Sequence, residues 1–265
     1  MQLQRRTRIV RLSGLPLTVF IAWTAFAQQA PRPVAQAAPP AAKVVPRPPV
    51  FFHEGWKKPG GPDPRRILGQ EWVSSPNLEL KLYGPGTKGR GLEHQDDDNL
   101  KRFAGSLIVN VRGEPDNLAF IWSGFAEGNW ALTLRDKNNF VNLSGPLTKI
   151  RWKSLQSGFH LLRPVIKTAD GKYYVGDKAD GLSADWHENE IVLTDVHWLG
   201  LNPMTAAELT VQGGGLGWQN PDLSRVDEIG FTALSRGTSP GSGASARVAW
   251  IEVVGHPVPR AGKAN

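Results

Sequence analysis

The alternation of apolar and polar residues predicts a β-sheet in the middle of this chain. Ile150 and Trp152 alternate with the basic residues at 149, 151 and 153, and a mainly apolar run covers Ile191–Val196. A period of two is typical of strands with one buried face. Further candidate strands are Leu78–Tyr83, Asn117–Trp122, Trp130–Arg135, Glu228–Ala233 and Arg247–Val254.

Turn-forming residues separate these strands. Asp170-Gly171 lies between Leu161–Lys167 and Tyr173–Val175, and its glycine permits the positive φ that hairpin turns need. The longest helical pattern is the short patch Thr205–Leu209. A strand-rich chain with this spacing of turns predicts an all-β domain of two packed antiparallel sheets, a β-sandwich.

The first residues have the pattern of an export signal. Four arginines precede a mainly apolar segment, Leu15–Phe26, and Ala25-Phe26-Ala27 has the small-x-small form of a cleavage site. A membrane anchor is the alternative, but the segment is shorter than the roughly 20 residues of a spanning helix, and Pro16 interrupts it. We predict a signal peptide over residues 1–27, no membrane span after cleavage, and a periplasmic or secreted protein.

The composition of residues 28–50 differs from that of the rest of the chain. This segment consists almost entirely of Pro, Ala, Val and Gln, which cannot form a core, and we predict a semi-rigid linker. We place the β-sandwich domain at residues 51–259 and a disordered tail at 260–265. The chain has no cysteine, so disulfides cannot stabilise it.

The net charge of +7 comes from the N-terminal segments. Residues 1–50 hold seven basic residues and no acidic ones, which leaves 24 of each for residues 51–265. A near-neutral domain lacks the basic surface that nucleic-acid binding requires. We therefore predict no nucleic-acid partner.

The two C-terminal strands carry a resemblance to a known group of folds. Val226–Phe231, followed after a Gly/Ser-rich loop by Ala249–Gly255, resembles the closing strands of galactose-binding-like jelly rolls. This group includes carbohydrate-binding modules and the domain of the complex I intermediate-associated proteins. The resemblance covers about residues 115–255 and implies a β-sandwich of jelly-roll type with carbohydrate as a partner.

Tryptophan has two roles in such a domain, because its ring stacks on sugars and also fills cores. Trp130 and Trp152 share a strand face with apolar neighbours, so we predict that they are buried. Trp250 is compatible with either role. Trp186 lies in a polar loop, where it is either a sugar-stacking platform or a plug at the end of the sandwich.

Basic and aromatic side chains form the second candidate group for sugar binding. Alternation places Arg135, Arg151 and Arg163 on polar strand faces, although Pro164 favours an edge or bulge that would reverse the face of Arg163. Clustered arginines would favour an acidic or heavily hydroxylated glycan, whereas scattered or carboxylate-paired arginines would favour a structural protein. The full set of predicted carbohydrate-binding residues is Arg135, Arg151, His160, Arg163, Tyr174, Trp186 and His187.

The resemblance also implies a structural calcium ion between the first and last strands. The candidate ligands are Glu54 and Glu252. We predict no other cofactor, since the histidines lack zinc-like spacing and cysteine is absent.

Catalytic motifs are not evident in the sequence. His160, Arg163, Tyr174 and His187 supply the residue types of a jelly-roll polysaccharide lyase, and Asp185, Glu188 and Glu190 are acidic candidates for a glycoside hydrolase. The favoured prediction is an exported, non-catalytic carbohydrate-binding protein. An enzyme on the same scaffold and a structural envelope protein without a ligand remain alternatives.

Overall fold

Strands dominate the computed structural model, which describes residues 46–57, 66–87, 93–96, 119–123, 126, 128–158, 160–209, 217–234 and 245–260, with backbone alone for 66–67 and 93–96. The predicted signal peptide and residues 28–45 of the predicted linker lie outside these ranges. The strands are β1 (Val50–Glu54), β2 (Arg66–Ile67), β3 (Leu78–Tyr83), β4 (Glu93–Asp96), β5 (Ala119–Trp122), β6 (Trp130–Asp136), β7 (Asn139–Asn142), β8 (Lys149–Ser157), β9 (Leu162–Thr168), β10 (Tyr173–Gly176), β11 (His187–Val192), β12 (Trp198–Asn202), β13 (Ala207–Glu208), β14 (Trp218–Gln219), β15 (Val226–Ala233), β16 (Ser245–Val254) and β17 (His256–Pro259). Short 3-10 helices cover Gln70–Trp72, Pro85–Thr87 and Leu193–Asp195.

These strands form two antiparallel sheets. The seven-stranded sheet has the order β11-β8-β16-β5-β4-β2, and β1 also pairs with β16. The ten-stranded sheet has the order β13-β12-β10-β9-β15-β6-β3, with β14 on β12 and β7 on β15 and β17. The sheets pack as a sandwich, which confirms the predicted all-β, two-sheet antiparallel β-sandwich of jelly-roll type.

The core lies between the sheets and contains the side chains on one face of each strand. Trp130 and Trp152 are 1% and 0% exposed, as predicted, and both rings contact Phe231 edge-on with centroids 6.0 and 6.1 Å apart. Burying each large aromatic side chain stabilises the fold by roughly 1.5–3 kcal/mol. The rest of the main core includes Leu132, Leu134, Ile150, Ile166, Ile229, Ile251 and Val253.

The predicted hairpin is confirmed, with Tyr173 opposite Lys167 and Val175 opposite Val165. Gly171 has φ +85°, and its N–H donates to the Thr168 carbonyl oxygen. Glycine adopts this left-handed conformation without a steric penalty, which explains the turn at this position.

Three local predictions were wrong. The patch Thr205–Leu209 is a turn followed by β13, because Ala206 has φ +45° and β13 pairs with β12. The apolar run from Ile191 is strand only to Val192 and then turns through a 3-10 helix. Pro164 marks neither an edge nor a bulge, since β9 lies inside the sheet and pairs regularly with β15 at that position.

The ends of the domain are held by backbone hydrogen bonds. β1 begins at Val50, and Gly255 N–H donates to the Pro49 carbonyl oxygen. Arg260, assigned to the tail by the sequence, donates its backbone N–H to the Asn138 carbonyl oxygen and its Nε to that of Asp136. Among the described residues, no helix is long and apolar enough to cross a membrane.

Candidate functional site

The outer face of the ten-stranded sheet is concave. The rings of Tyr83 on β3 and Tyr173 on β10 are in edge contact, with centroids 5.1 Å apart, although β9, β15 and β6 lie between their strands. In a flat sheet, four strand spacings would separate those strands by about 19 Å. The sheet must therefore curve so that the two tyrosines meet above its middle strands, and we call this surface the concave face.

A buried carboxylate lies at the bottom of the concave face. Glu228 on β15 is 2% exposed, and its Oε2 accepts hydrogen bonds from the hydroxyls of Tyr83, at 2.7 Å, and Thr133, at 2.6 Å. Its Oε1 accepts one from Lys167 Nζ at 2.9 Å. The Tyr173 hydroxyl donates to that of Tyr83 at 3.1 Å. We call Tyr83, Thr133, Lys167, Tyr173 and Glu228 the concave network.

A β-bulge gives this face a second carboxylate. The register between β15 and β9 shifts between Val226 and Glu228, which allows Asp227 and Glu228 to lie on the same side of the sheet. Asp227 pairs with Arg135 Nε at 3.0 Å and Arg260 Nη1 at 2.6 Å. Lys167 Nζ lies 3.5 Å from Asp227 as well as 2.9 Å from Glu228, so one ammonium contacts both carboxylates.

These contacts shift several pKa values. Burial raises the pKa of the Tyr83 hydroxyl, and its hydrogen bonds to Tyr173 and Glu228 add to that shift. Burial acts to lower the pKa of Lys167, but its hydrogen bond and charge interaction with Glu228, together with its interactions with Tyr173, outweigh this effect, so the net pKa is raised. Burial acts to raise the pKa of Asp227, but Arg135 and Arg260 outweigh it, so the pKa lies below its usual value. Near neutral pH the face therefore carries a neutral Tyr83, a cationic Lys167 and an anionic Asp227.

The three predicted arginines do not cluster, and each pairs with carboxylates. Arg135 and Arg163 lie in the ten-stranded sheet, where Arg135 contacts Glu79 and Asp227, and Arg163 contacts Glu208 and the Gly176 carbonyl oxygen.

Arg151 lies in the other sheet, on β8. It contacts Glu188 at 2.9 Å and Glu252 at 3.0 Å, and its guanidinium lies over Trp250. Each of the three arginines thus forms its ion pairs with nearby carboxylates of this domain.

The two aromatic residues predicted to bind carbohydrate, Tyr174 and Trp186, are buried. Tyr174 is 6% exposed and belongs to the core between the sheets, whereas its neighbour Tyr173 lies on the concave face. Trp186 is 8% exposed and packs edge-on against Phe120, in an apolar cluster on the outer side of the seven-stranded sheet.

The two predicted histidines, His160 and His187, do not belong to the concave network. His160 is 6% exposed and lies between β8 and β9. His187 begins β11, and its Nε2 lies 2.7 Å from the buried carboxylate of Asp180. Asp180 also accepts hydrogen bonds from Trp152 Nε1 at 2.8 Å and Ser154 Oγ at 2.5 Å, so it joins His187 to the edge of the core.

The two candidate calcium ligands do not converge. Glu54 is fully buried, and its oxygens accept hydrogen bonds from the backbone N–H groups of Trp56, Ser74 and Ser75 and from the Ser74 hydroxyl. Glu252 lies opposite His53 on the outer side of the same strand pair and contacts Arg151. As placed, these residues do not fit a shared calcium ion. The described residues contain no group of three or more His, Asp or Glu that could hold a metal.

Sequence reasoning missed the concave network, although part of its signal was present. Alternation in Leu78–Tyr83 puts Tyr83 on the same strand face as Glu79 and Lys81, opposite the three leucines, and the hairpin pairs Tyr173 with Lys167. Because Tyr173 lies opposite Lys167, the two side chains share a face. This pairing would have pointed to Tyr173 rather than Tyr174 as the candidate carbohydrate-binding tyrosine. The contact between Tyr83 and Tyr173 depends on curvature across five strands, and local alternation does not encode that curvature.

Comparison with known proteins gives similarity at the level of solved structures. No protein-family model and no curated protein matches the chain. The chain is similar to a family 11 carbohydrate-binding module from Clostridium thermocellum in complex with a β-1,3-1,4-mixed-linked tetrasaccharide, with 13% identity, 71% of this chain and 93% of the other covered, and a TM-score of 0.37. It is also similar to the family 11 module of the cellulosomal cellulase Lic26A-Cel5E of Clostridium thermocellum, with 14% identity, coverage of 72% and 94%, and a TM-score of 0.37.

A third similar structure is an exo-β-agarase. The identity is 8%, the match covers 76% of this chain and 26% of the agarase chain, and the TM-score is 0.36. Two of these three structures are carbohydrate-binding modules. These values do not assign the chain to a family.

Proposed function

We propose that the chain binds carbohydrate on the concave face. The observation that carries this proposal is the Tyr83–Tyr173 ring pair joined by hydroxyl groups to the buried Glu228. Sugar rings present apolar C–H faces and a rim of hydroxyls. Aromatic rings next to fixed hydrogen-bonding groups offer the matching surface.

The network is held in place before any ligand arrives. Three hydrogen bonds fix the Glu228 carboxylate, and the Tyr173 hydroxyl bonds to that of Tyr83. Side chains that are already ordered lose little conformational entropy on binding, which favours affinity.

The charges on this face favour a neutral glycan. Lys167 is paired with Glu228 and Asp227, and Arg163 is paired with Glu208. An acidic sugar would have to displace one of these carboxylates, which would leave a partly buried charge uncompensated. We therefore expect neutral polysaccharides to bind more tightly than uronate-rich or sulfated ones.

We also propose that binding takes place without cleavage. A glycoside hydrolase needs a carboxylic acid that donates a proton. On this face, the lowered pKa of Asp227 makes it a poor proton donor, and Glu228 is bound to Lys167. Export, proposed from residues 1–27, would place this binding protein in the periplasm or outside the cell.

The arginines do not support this proposal. Their pairing with carboxylates on two different sheets is the arrangement expected of a structural protein without a ligand. The carbohydrate proposal therefore depends on the concave network. Its test has to distinguish a carbohydrate-binding protein from a structural protein without a ligand.

The test is retention of the full chain on a panel of neutral and acidic polysaccharides, with assays for new reducing ends and unsaturated uronate. We expect retention on a neutral polymer without either product, and loss of retention in Tyr173→Ala. Arg151→Ala, on the outer side of the other sheet, is the control and should be retained like the wild type. No retention on any polymer would favour the structural reading, and release of either product would favour an enzyme.

A further inference from the structure

An exposed indole lies at the β14 edge of the ten-stranded sheet, outside the concave network. Trp218 is 52% exposed, and no other Trp, Tyr or Phe side chain among the described residues is as exposed. An indole buries a large area when a ligand covers it, and tryptophan is enriched at the energetic centres of binding surfaces.

The register of the sheet places this indole on the concave face. Trp218 pairs with Leu199, and Leu199 pairs with Val175. Residues directly opposite each other in antiparallel strands share a face. Val175 and Leu199 belong to an apolar cluster with Ala131 and Val165 on the outer side of this sheet. Trp218 therefore extends the surface that carries Tyr173.

A second ring supports the indole. The His197 ring lies 5.6 Å from it between centroids, at an interplanar angle of 56°. His197 is fixed in turn by Asp177, whose carboxylate accepts the His197 backbone N–H at 3.0 Å and lies 2.9 Å from Nδ1. The Trp218 indole is thus exposed, while the pairing of β14 with β12 and the contact with His197 hold it in place. These are the properties of a preformed stacking platform.

The spacing shows which ligand could use this platform together with the concave network. Trp218 lies two strands away from β10, opposite a position two residues along β10 from Tyr173. This offset corresponds to about 12 Å between the Cα atoms of Tyr173 and Trp218. One sugar ring cannot contact both side chains, whereas an oligosaccharide can. We propose that Trp218 is a second sugar-stacking position, which binds a further pyranose ring of the glycan held by the concave network. This inference rests on the proposed function.

The test compares short and long oligosaccharides of the retained glycan by titration calorimetry on the full chain. Trp218→Ala should weaken binding of the long ligand about tenfold or more, the equivalent of roughly 1.4 kcal/mol, and change binding of the shortest by less than about twofold. Trp218→Tyr, which keeps a ring, should restore much of the affinity. Leu182→Ala, at a side chain 72% exposed, is the surface control and should match the wild type.

Each outcome separates this inference from the proposed function. Equal affinity of Trp218→Ala and wild type for the long ligand would overturn the second position and leave the function standing. No binding of any sugar by the wild type would overturn both. A change in oligomeric state in Trp218→Ala, measured by analytical ultracentrifugation, with unchanged sugar affinity would assign the indole to self-association and also overturn the inference.

Discussion

Replacing Glu228 with glutamine tests how the concave network is held together. The Glu228 side chain is 1% exposed and accepts three hydrogen bonds, one of them from the Lys167 ammonium. Removing one partner of a buried ion pair costs about 3–5 kcal/mol. Lys167 is 23% exposed and keeps Asp227 at 3.5 Å, so its charge is not left alone. We therefore expect a loss of about 2–4 kcal/mol in the free energy of unfolding.

The assay is urea unfolding at neutral pH, supported by thermal melting. A loss of this size corresponds to a fall in Tm of about 4–16 °C for a domain of this size. Glu188→Gln is the matched control, because Glu188 is 54% exposed and pairs with Arg151 at the surface, where the cost should stay below about 0.5–1 kcal/mol. If Glu228→Gln unfolded at the same urea concentration as Glu188→Gln, the network would not depend on the buried carboxylate.

A double-mutant cycle connects this carboxylate to the tyrosines. Tyr83→Phe removes the hydrogen bond of 2.7 Å to Glu228 and should cost about 1 kcal/mol alone. Combined with Glu228→Gln, the two losses should fail to add by about 0.5–3 kcal/mol, since Tyr83→Phe removes the hydrogen bond that Glu228→Gln already weakens by removing the carboxylate charge. Additive losses would contradict direct coupling between these side chains.

Three further predictions concern pH and packing. The raised pKa values of Tyr83 and Lys167 give stability that is present below about pH 10 and falls as pH rises through their folded values, so Tyr83→Phe should flatten the alkaline limb of a stability profile. The lowered pKa of Asp227 gives stability that is present above about pH 4 and falls in acid, and Asp227→Asn should flatten that limb. Gly230→Ala should cost about 3 kcal/mol in urea unfolding, because its Cβ would lie 2.0 Å from the Leu132 carbonyl oxygen. Unchanged limbs or a stable Gly230→Ala variant would contradict these assignments.

Period-two alternation was sufficient to predict the sandwich and much of its core. The burial of Trp130 and Trp152 and the hairpin at Gly171 depend on neighbours within a strand or turn, so the sequence contains the information directly. The 3-10 helix after Val192 and the turn at Ala206 depend on tertiary contacts that local alternation does not report.

The candidate site depends on pairing between strands that are distant in sequence. The sequence alone therefore predicts only part of it. Arg151 and Arg163 look equivalent by alternation, but one lies in each sheet, and sequence order does not reveal the strand connections. Asp227 and Glu228 share a face only because a bulge interrupts the alternation of β15. Tyr83 reaches Tyr173 only because the sheet curves.

The most direct test of the central claim is to locate the bound sugar on the protein. The measurement is an NMR titration of the isotope-labelled full chain with the shortest neutral oligosaccharide that binds. We expect shift changes at Tyr83, Thr133, Lys167 and Tyr173 on the concave face, with little change at Trp250 on the other sheet. Changes concentrated at Trp250 would contradict the assignment of the site, and no change at saturating sugar would contradict carbohydrate binding.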